Sequence, residues 1–124
     1  MSIILMSIKP EYVDEIFSGR KRYEYRKKVC KEKVDKIIVY SSSPVKKVVG
    51  ELIINQVLQD KKNIIWDITN KYGGINKEKF DKYYENYEYA VAYEIKKVIK
   101  YNEPKFLYDY KIKMAPQSYV YISK

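Results

Sequence analysis

Apolar and polar residues alternate through much of this 124-residue chain and change to a helical spacing in a few short segments. Ser2 to Ile8 is an apolar run suited to a buried strand. Pro10 then opens a helix at the one position where its missing N–H costs nothing. Glu11, Asp14 and Glu15 place acids in the early turns, while Tyr12, Val13, Ile16 and Phe17 form an apolar stripe. Gly19 supplies a stop at the C′ position. The alternation resumes from Lys21 to Val29, with Lys21, Tyr23, Tyr25 and Lys27 on one face and Arg22, Glu24 and Arg26 on the other. Strands are predicted at Lys36 to Ser41 and Lys47 to Leu58, separated by the turn signal "SSSP" at Ser41 to Pro44. Gly50 marks a bulge or a close backbone approach in the second of them.

A helical insert follows over about 61–87. Its first helix ends at Gly73-Gly74, and its second is capped by Asn76 and turns Phe80, Tyr83 and Tyr84 toward the core. Tyr87 to Tyr101 alternates as one long strand, which Pro104 should end, and "QSYVYIS" makes a short last strand. The order is β-α-β-β-β, a helical insert, then β-β. Mostly antiparallel strands with few helices predict an α+β fold, a partly closed β-barrel in a single domain spanning 1–124.

Charge and composition then narrow the chemistry. The formal net charge of +9 favours a polyanionic partner, nucleic acid before an acidic membrane surface, because the cations are densest in strand-like sequence rather than in a basic amphipathic helix. An AT-rich genome would also raise lysine and tyrosine, so charge alone does not decide. No run of about 18 apolar residues is present, so no spanning helix is expected, and the start reads as a strand rather than a signal peptide. The chain has no histidine and one cysteine, Cys30, read as an ordinary reduced thiol in a cytoplasmic protein. The usual zinc and copper sites and histidine bases are thereby removed, and no metal or cofactor is expected. Lys, Glu, Asp and Tyr remain for any acid–base work.

The segment "SGRKRYEYR" contains G-x-K-x-x-E-x-R at Gly19, Lys21, Glu24 and Arg26. Together with "SIKPEYVDEIFSG" before it, the "SSSP" turn followed by "VVGE", and the closing "PQSYVYI", it resembles the ASCH family of the PUA-like superfamily. The insert looks like the helical segment of longer prokaryotic members. The resemblance implies a PUA-like barrel, a cleft at the motif, and binding of RNA, in preference to DNA, or of modified nucleotides. On chemistry alone, Arg26 suits a bidentate phosphate contact, Lys21 adds a point charge, and Glu24 either reads a polar edge or holds Arg26 in place. A Glu–Arg pair two apart on a strand is also commonly just a surface ion pair. Lys9 matches the family's "IKP". Ser42 and Ser43 either form the turn or line the same mouth, and Gln117 and Ser118 either start a strand or wall the cleft. Lys27, Lys28, Lys31 and Lys33 read as a solvated edge, and most of the fifteen tyrosines as packing.

Three functions stay open at this point. One is a binding module for RNA or nucleotides. Another is a small hydrolase of modified nucleosides or RNA with Lys21 and Glu24 as its candidate catalytic pair. In amidohydrolase relatives a threonine stands three residues after the lysine; here that position is Glu24, so the hydroxyl is missing. The third is a protein-docking module.

Overall fold

The alternating segments assemble into one six-stranded sheet of order β2-β5-β4-β3-β1-β6 in the computed structural model, which describes residues 2–122. The strands are β1 (Ser2–Ile8), β2 (Tyr23–Arg26), β3 (Val34–Ser41), β4 (Lys47–Lys61), β5 (Tyr89–Lys105) and β6 (Tyr119–Tyr121). The helices are α1 (Pro10–Phe17), α2 (Lys62–Thr69) and α3 (Lys77–Tyr83), with short 3-10 turns at Asn70–Tyr72 and Leu107–Tyr110. Four of the strand pairings are antiparallel; β1 and β3 run parallel, which requires the crossover that α1 and β2 supply.

The α+β class and the helical insert are as the sequence indicates, but the expected barrel is not formed. The sheet is open, with β2 and β6 as its two edges and, among the described residues, no ladder between them. These edges are four and three residues long, too short to build the staggered closure a barrel demands. Side chains join the two ends instead, as described below.

Three apolar clusters account for the layers. Ile4, Met6 and Ile8 of β1 pack with Ile37, Val39, Leu52 and Tyr93 beneath Val13 and Ile16 of α1. On the opposite face, Leu5, Ile38, Tyr40 and Val48 are covered by Tyr101, Leu107, Tyr110 and Ile112. Central strands buried on both faces explain why β1 reads as a continuous apolar run. The insert forms the third cluster, in which Ile65, Phe80 and Tyr84 close over Tyr25, Ala90 and Ala92.

Local signals place the elements with few exceptions. Gly19 takes φ +88 just beyond α1, and the Asn76 side chain accepts from the Lys79 N–H at 2.8 Å to cap α3. The second strand stops at Arg26 rather than Val29, where the Tyr84 hydroxyl donates to the Arg26 carbonyl at 2.7 Å and takes the acceptor a longer ladder would use. β5 runs through Pro104 to Lys105, because β2 covers only its Val91–Glu94 stretch and leaves that edge open near the proline. Tyr83, expected in the core, is 36% exposed. Cys30 is buried and accepts a hydrogen bond from the Tyr93 hydroxyl at 3.1 Å.

Gly50 is both things the sequence suggested. The ladders on its two sides shift register next to it, and a Cβ there would run into the Ile99 carbonyl and lie 2.8 Å from the Phe17 ring. We therefore expect Gly50→Ala to cost about 1–3 kcal/mol through overpacking between β5 and α1. In urea melts the midpoint should fall with the slope unchanged; a variant as stable as the parent would contradict this packing.

Candidate functional site

The end of β1, the β3–β4 turn, the segment before β6 and the short strand β2 converge on a cleft of about 450 Å³. Six of the eight residues proposed from sequence line it: Lys9, Glu24, Arg26, Ser42, Ser43 and Gln117. Backbone bonds hold these walls together. The Ser42 N–H donates to the Ile8 carbonyl at 2.9 Å, and the Ser7 N–H donates to the Ser118 carbonyl at 3.0 Å. The Ser7 hydroxyl adds a 2.7 Å bond to the Pro116 carbonyl. The turn therefore cannot drift from β1, nor the C-terminal segment from the sheet.

Arg26 is the link across the open side. Its Nε donates to Glu24 Oε2 at 3.1 Å, and one terminal nitrogen lies 2.9 Å from that same oxygen. That nitrogen also donates to the Ser7 carbonyl at 2.8 Å, and the other reaches the Ser118 hydroxyl at 3.3 Å. A guanidinium has five N–H groups, so these contacts leave little of Arg26 free. It is far more a clasp between β2 and the β1–β6 end of the sheet than an idle phosphate fork. Ser118, the seventh candidate, acts through this bond. The Glu24–Arg26 pair is also not a surface pair, since its side chains are only 6% and 15% exposed. Glu24 Oε1 has no hydrogen-bond partner among the described residues, and no side-chain polar atom there is buried without one. Glu24 lines both this cleft and a smaller recess behind it, and Oε1 is the carboxylate oxygen that Arg26 does not engage.

Lys21, the eighth candidate, is not in this cleft. It is 3% exposed and lies in a recess of about 50 Å³ behind it, which shares Tyr12, Glu24, Tyr25 and Tyr83 with the main cleft. Its ammonium donates to the Gly73 carbonyl at 2.6 Å and lies 4.7 Å from the centre of the Tyr25 ring and 5.3 Å from that of Tyr12. Lys21 precedes β2, which begins at Tyr23, and its ammonium is drawn to the Gly73 carbonyl of the insert instead of to the cleft. Burial depresses the Lys21 pKa below the usual lysine value, against the opposing pull of Glu24. The Gly73-Gly74 pair permits the close fit: Gly74 has φ +72, and a Cβ on it would press on the Lys21 stem at 2.7–2.9 Å. This pair was legible only as a helix end.

Tyr12, Tyr25, Tyr40, Tyr83, Ser7 and Lys46 also line the cleft and were not singled out from sequence. The tyrosines fell within packing stripes, and nothing in the alternation marks which rings end at a cavity. Lys46 had one usable signal, its place two residues after the "SSSP" turn, where it takes φ 54. Burial pushes the Tyr12 hydroxyl pKa up, and Glu11 and Glu24 add to the shift. Burial does the same for Tyr83, with Arg26 opposing. Lys27, Lys28, Lys31 and Lys33 are exposed, as the edge reading expected. Among the described residues no helix is long and apolar enough to cross a membrane.

The Lys21 environment predicts a pH effect. Its pKa is lower in the folded chain than in the unfolded chain, so just below the ordinary value of 10.5 the unfolded chain holds the proton that the folded chain has released. Stability should therefore rise with pH in that interval. Lys21→Met should flatten the rise when denaturant midpoints are compared across it, and an unchanged pH slope would show that Lys21 is not desolvated.

A match to the ASCH domain model covers residues 6–103. The large ribosomal subunit protein uL22 of Ureaplasma parvum serovar 3 is 33% identical over 120 residues, 96% of this chain and 39% of its own length. The chain thus spans well under half of that relative. An ASCH domain-containing ribonuclease of Zymomonas mobilis is 27% identical over 90 residues, 72% of this chain and 61% of its own. The crystal structure of ASCH from Zymomonas mobilis superposes with a TM-score of 0.89 at 24% identity, covering 98% of this chain and 88% of that one. With the motif region, the sheet and the insert all inside these matches, the chain belongs to the ASCH domain family.

Proposed function

We propose that this chain is an RNA- or nucleotide-binding module whose ligand occupies the cleft beside Arg26. The observation that carries the reading is the gathering of Lys9, Arg26 and Lys46 with tyrosine rings and the Glu24 carboxylate around a cleft of about 450 Å³. That volume suits a small ligand such as a nucleotide. Lys9 and Lys46 are exposed and serve as the mobile phosphate contacts. Arg26 adds fixed charge, and Glu24 Oε1 repels phosphate yet accepts from a base edge or ribose hydroxyl. Ser42, Ser43 and Gln117 supply further polar contacts at the mouth, and Ser118 holds Arg26 in register. RNA is favoured over DNA by a relative that carries ribonuclease in its name.

A second reading, a hydrolase of RNA or modified nucleosides, is favoured by that same name and by the depressed Lys21 pKa. A neutral Lys21 amine would act as base with Glu24 orienting it. Its bond to the Gly73 carbonyl and its place in the rear recess mean that the Gly73-Gly74 segment must first move.

The test is fluorescence anisotropy with labelled single-stranded RNA and DNA over a salt series. Binding should weaken with salt at about 0.7 log units per log unit for each phosphate engaged. Lys9→Ala and Lys46→Ala should each weaken binding and reduce that slope by roughly one phosphate's share. Absence of RNA binding at low salt would end the binding reading, and equal affinity for DNA would end the preference for RNA. Products from RNA or N4-acetylcytidine above a Lys21→Met control would replace it with the hydrolase.

A further inference from the structure

Beyond the cleft, Phe106, just before the 3-10 turn Leu107–Tyr110, and Tyr108 within it form an aromatic pair that packing does not explain. Phe106 is 43% exposed and Tyr108 71% exposed, yet their rings lie nearly parallel, 6° apart in plane with centroids 5.3 Å from each other. Their neighbour Leu107 turns into the cluster on the outer face of the sheet, so the turn itself is anchored. Asp109, the acid in this turn, uses Oδ2 to accept the Phe106 N–H at 2.9 Å, which fixes the turn's geometry.

Cations surround the pair. Lys46, Lys111 and Lys113 line the open depression beside the rings, and the Lys47 ammonium lies 5.9 Å from the centre of the Phe106 ring. Lys46 also lines the main cleft, so the two depressions meet at one side chain. Parallel exposed rings flanked by lysines are the combination that single-stranded nucleic acid uses: bases stack on the rings and phosphates follow the charges. A purely apolar partner would have no use for the four lysines, and a chain of net charge +9 disfavours a second copy of itself on this face.

We infer that Phe106 and Tyr108 form a stacking platform for the nucleotides of a single-stranded RNA that extend past Lys46 from the one held in the cleft. The inference rests on the RNA-binding reading of that cleft. It divides the recognition surface in two: the cleft takes one nucleotide with a polar edge contact, and the platform takes its neighbours without regard to base identity.

The experiment compares a dinucleotide with a single-stranded RNA of about twelve nucleotides on the parent, Tyr108→Ala and Phe106→Ala, at low salt. Tyr108→Ala is the primary variant because its ring is the more exposed. The longer RNA should bind roughly tenfold more weakly to either variant, while the dinucleotide binds as it does to the parent. The longer RNA carrying 5-iodouridine should also crosslink to Tyr108 or Phe106 of the parent, located by mass spectrometry. Unchanged binding of the longer RNA, or an equal loss for both ligands, overturns the platform and leaves the cleft reading standing. Absence of any RNA binding by the parent sinks both. Concentration-dependent dimerisation that Tyr108→Ala abolishes would assign the rings to a second copy and also overturn the platform.

Discussion

The contact on which the rest of the site depends is the Glu24–Arg26 clasp. A six-stranded sheet with short edges leaves an open side, and backbone hydrogen bonds do not close it. Arg26 spans that side by bonding Glu24 on its own strand, the Ser7 carbonyl of β1 and the Ser118 hydroxyl before β6. Removing Arg26 would leave Glu24 nearly buried without its counter-charge, the situation in which a lost ion pair costs most. The clasp is therefore a structural requirement that happens to stand on a wall of the cleft. The glutamate among cations first earns its place by holding the arginine.

The insert contributes on the other side of β2. Its apolar residues bury Tyr25 from behind, and its Gly73 carbonyl receives the Lys21 ammonium. Lys21 lines only the small recess, whereas Glu24 lines both that recess and the main cleft. Lys9 and Lys46 are exposed at the cleft, whereas the Lys21 ammonium is buried and held on the Gly73 carbonyl.

Much of this was readable where local rules act strongly. Pro10, the stripe Tyr12–Val13–Ile16–Phe17 and Gly19 specify α1 almost alone, and Asn76 specifies the start of α3. The motif residues, the flanking serines and Gln117 could be singled out because their order along the chain is distinctive. What failed to show was long-range. Whether the sheet closes depends on the lengths of β2 and β6, which pairing partners decide, and the extension of β5 past Pro104 depends on an unpaired edge. The roles of Tyr83, Tyr40 and Lys46 arise from where separate loops meet, information that no periodicity carries. Lys21 stands near Arg26 in sequence, but its position is set by the Gly73 carbonyl, 52 residues away in the chain.

The account turns on Arg26 being held by the clasp and still facing the ligand. The most direct measurement is nitrogen-15 NMR of arginine side chains during titration with single-stranded RNA. In the free protein the Arg26 Nε–H should exchange slowly with water, as expected for a donor locked onto Glu24. On titration its signal, with the backbone signals of Lys9, Ser42 and Gln117, should shift before those of Val34–Lys36, at the end of β3 away from Ser42. A fast-exchanging Arg26 Nε–H, or shifts confined to surfaces away from the cleft, would contradict the account.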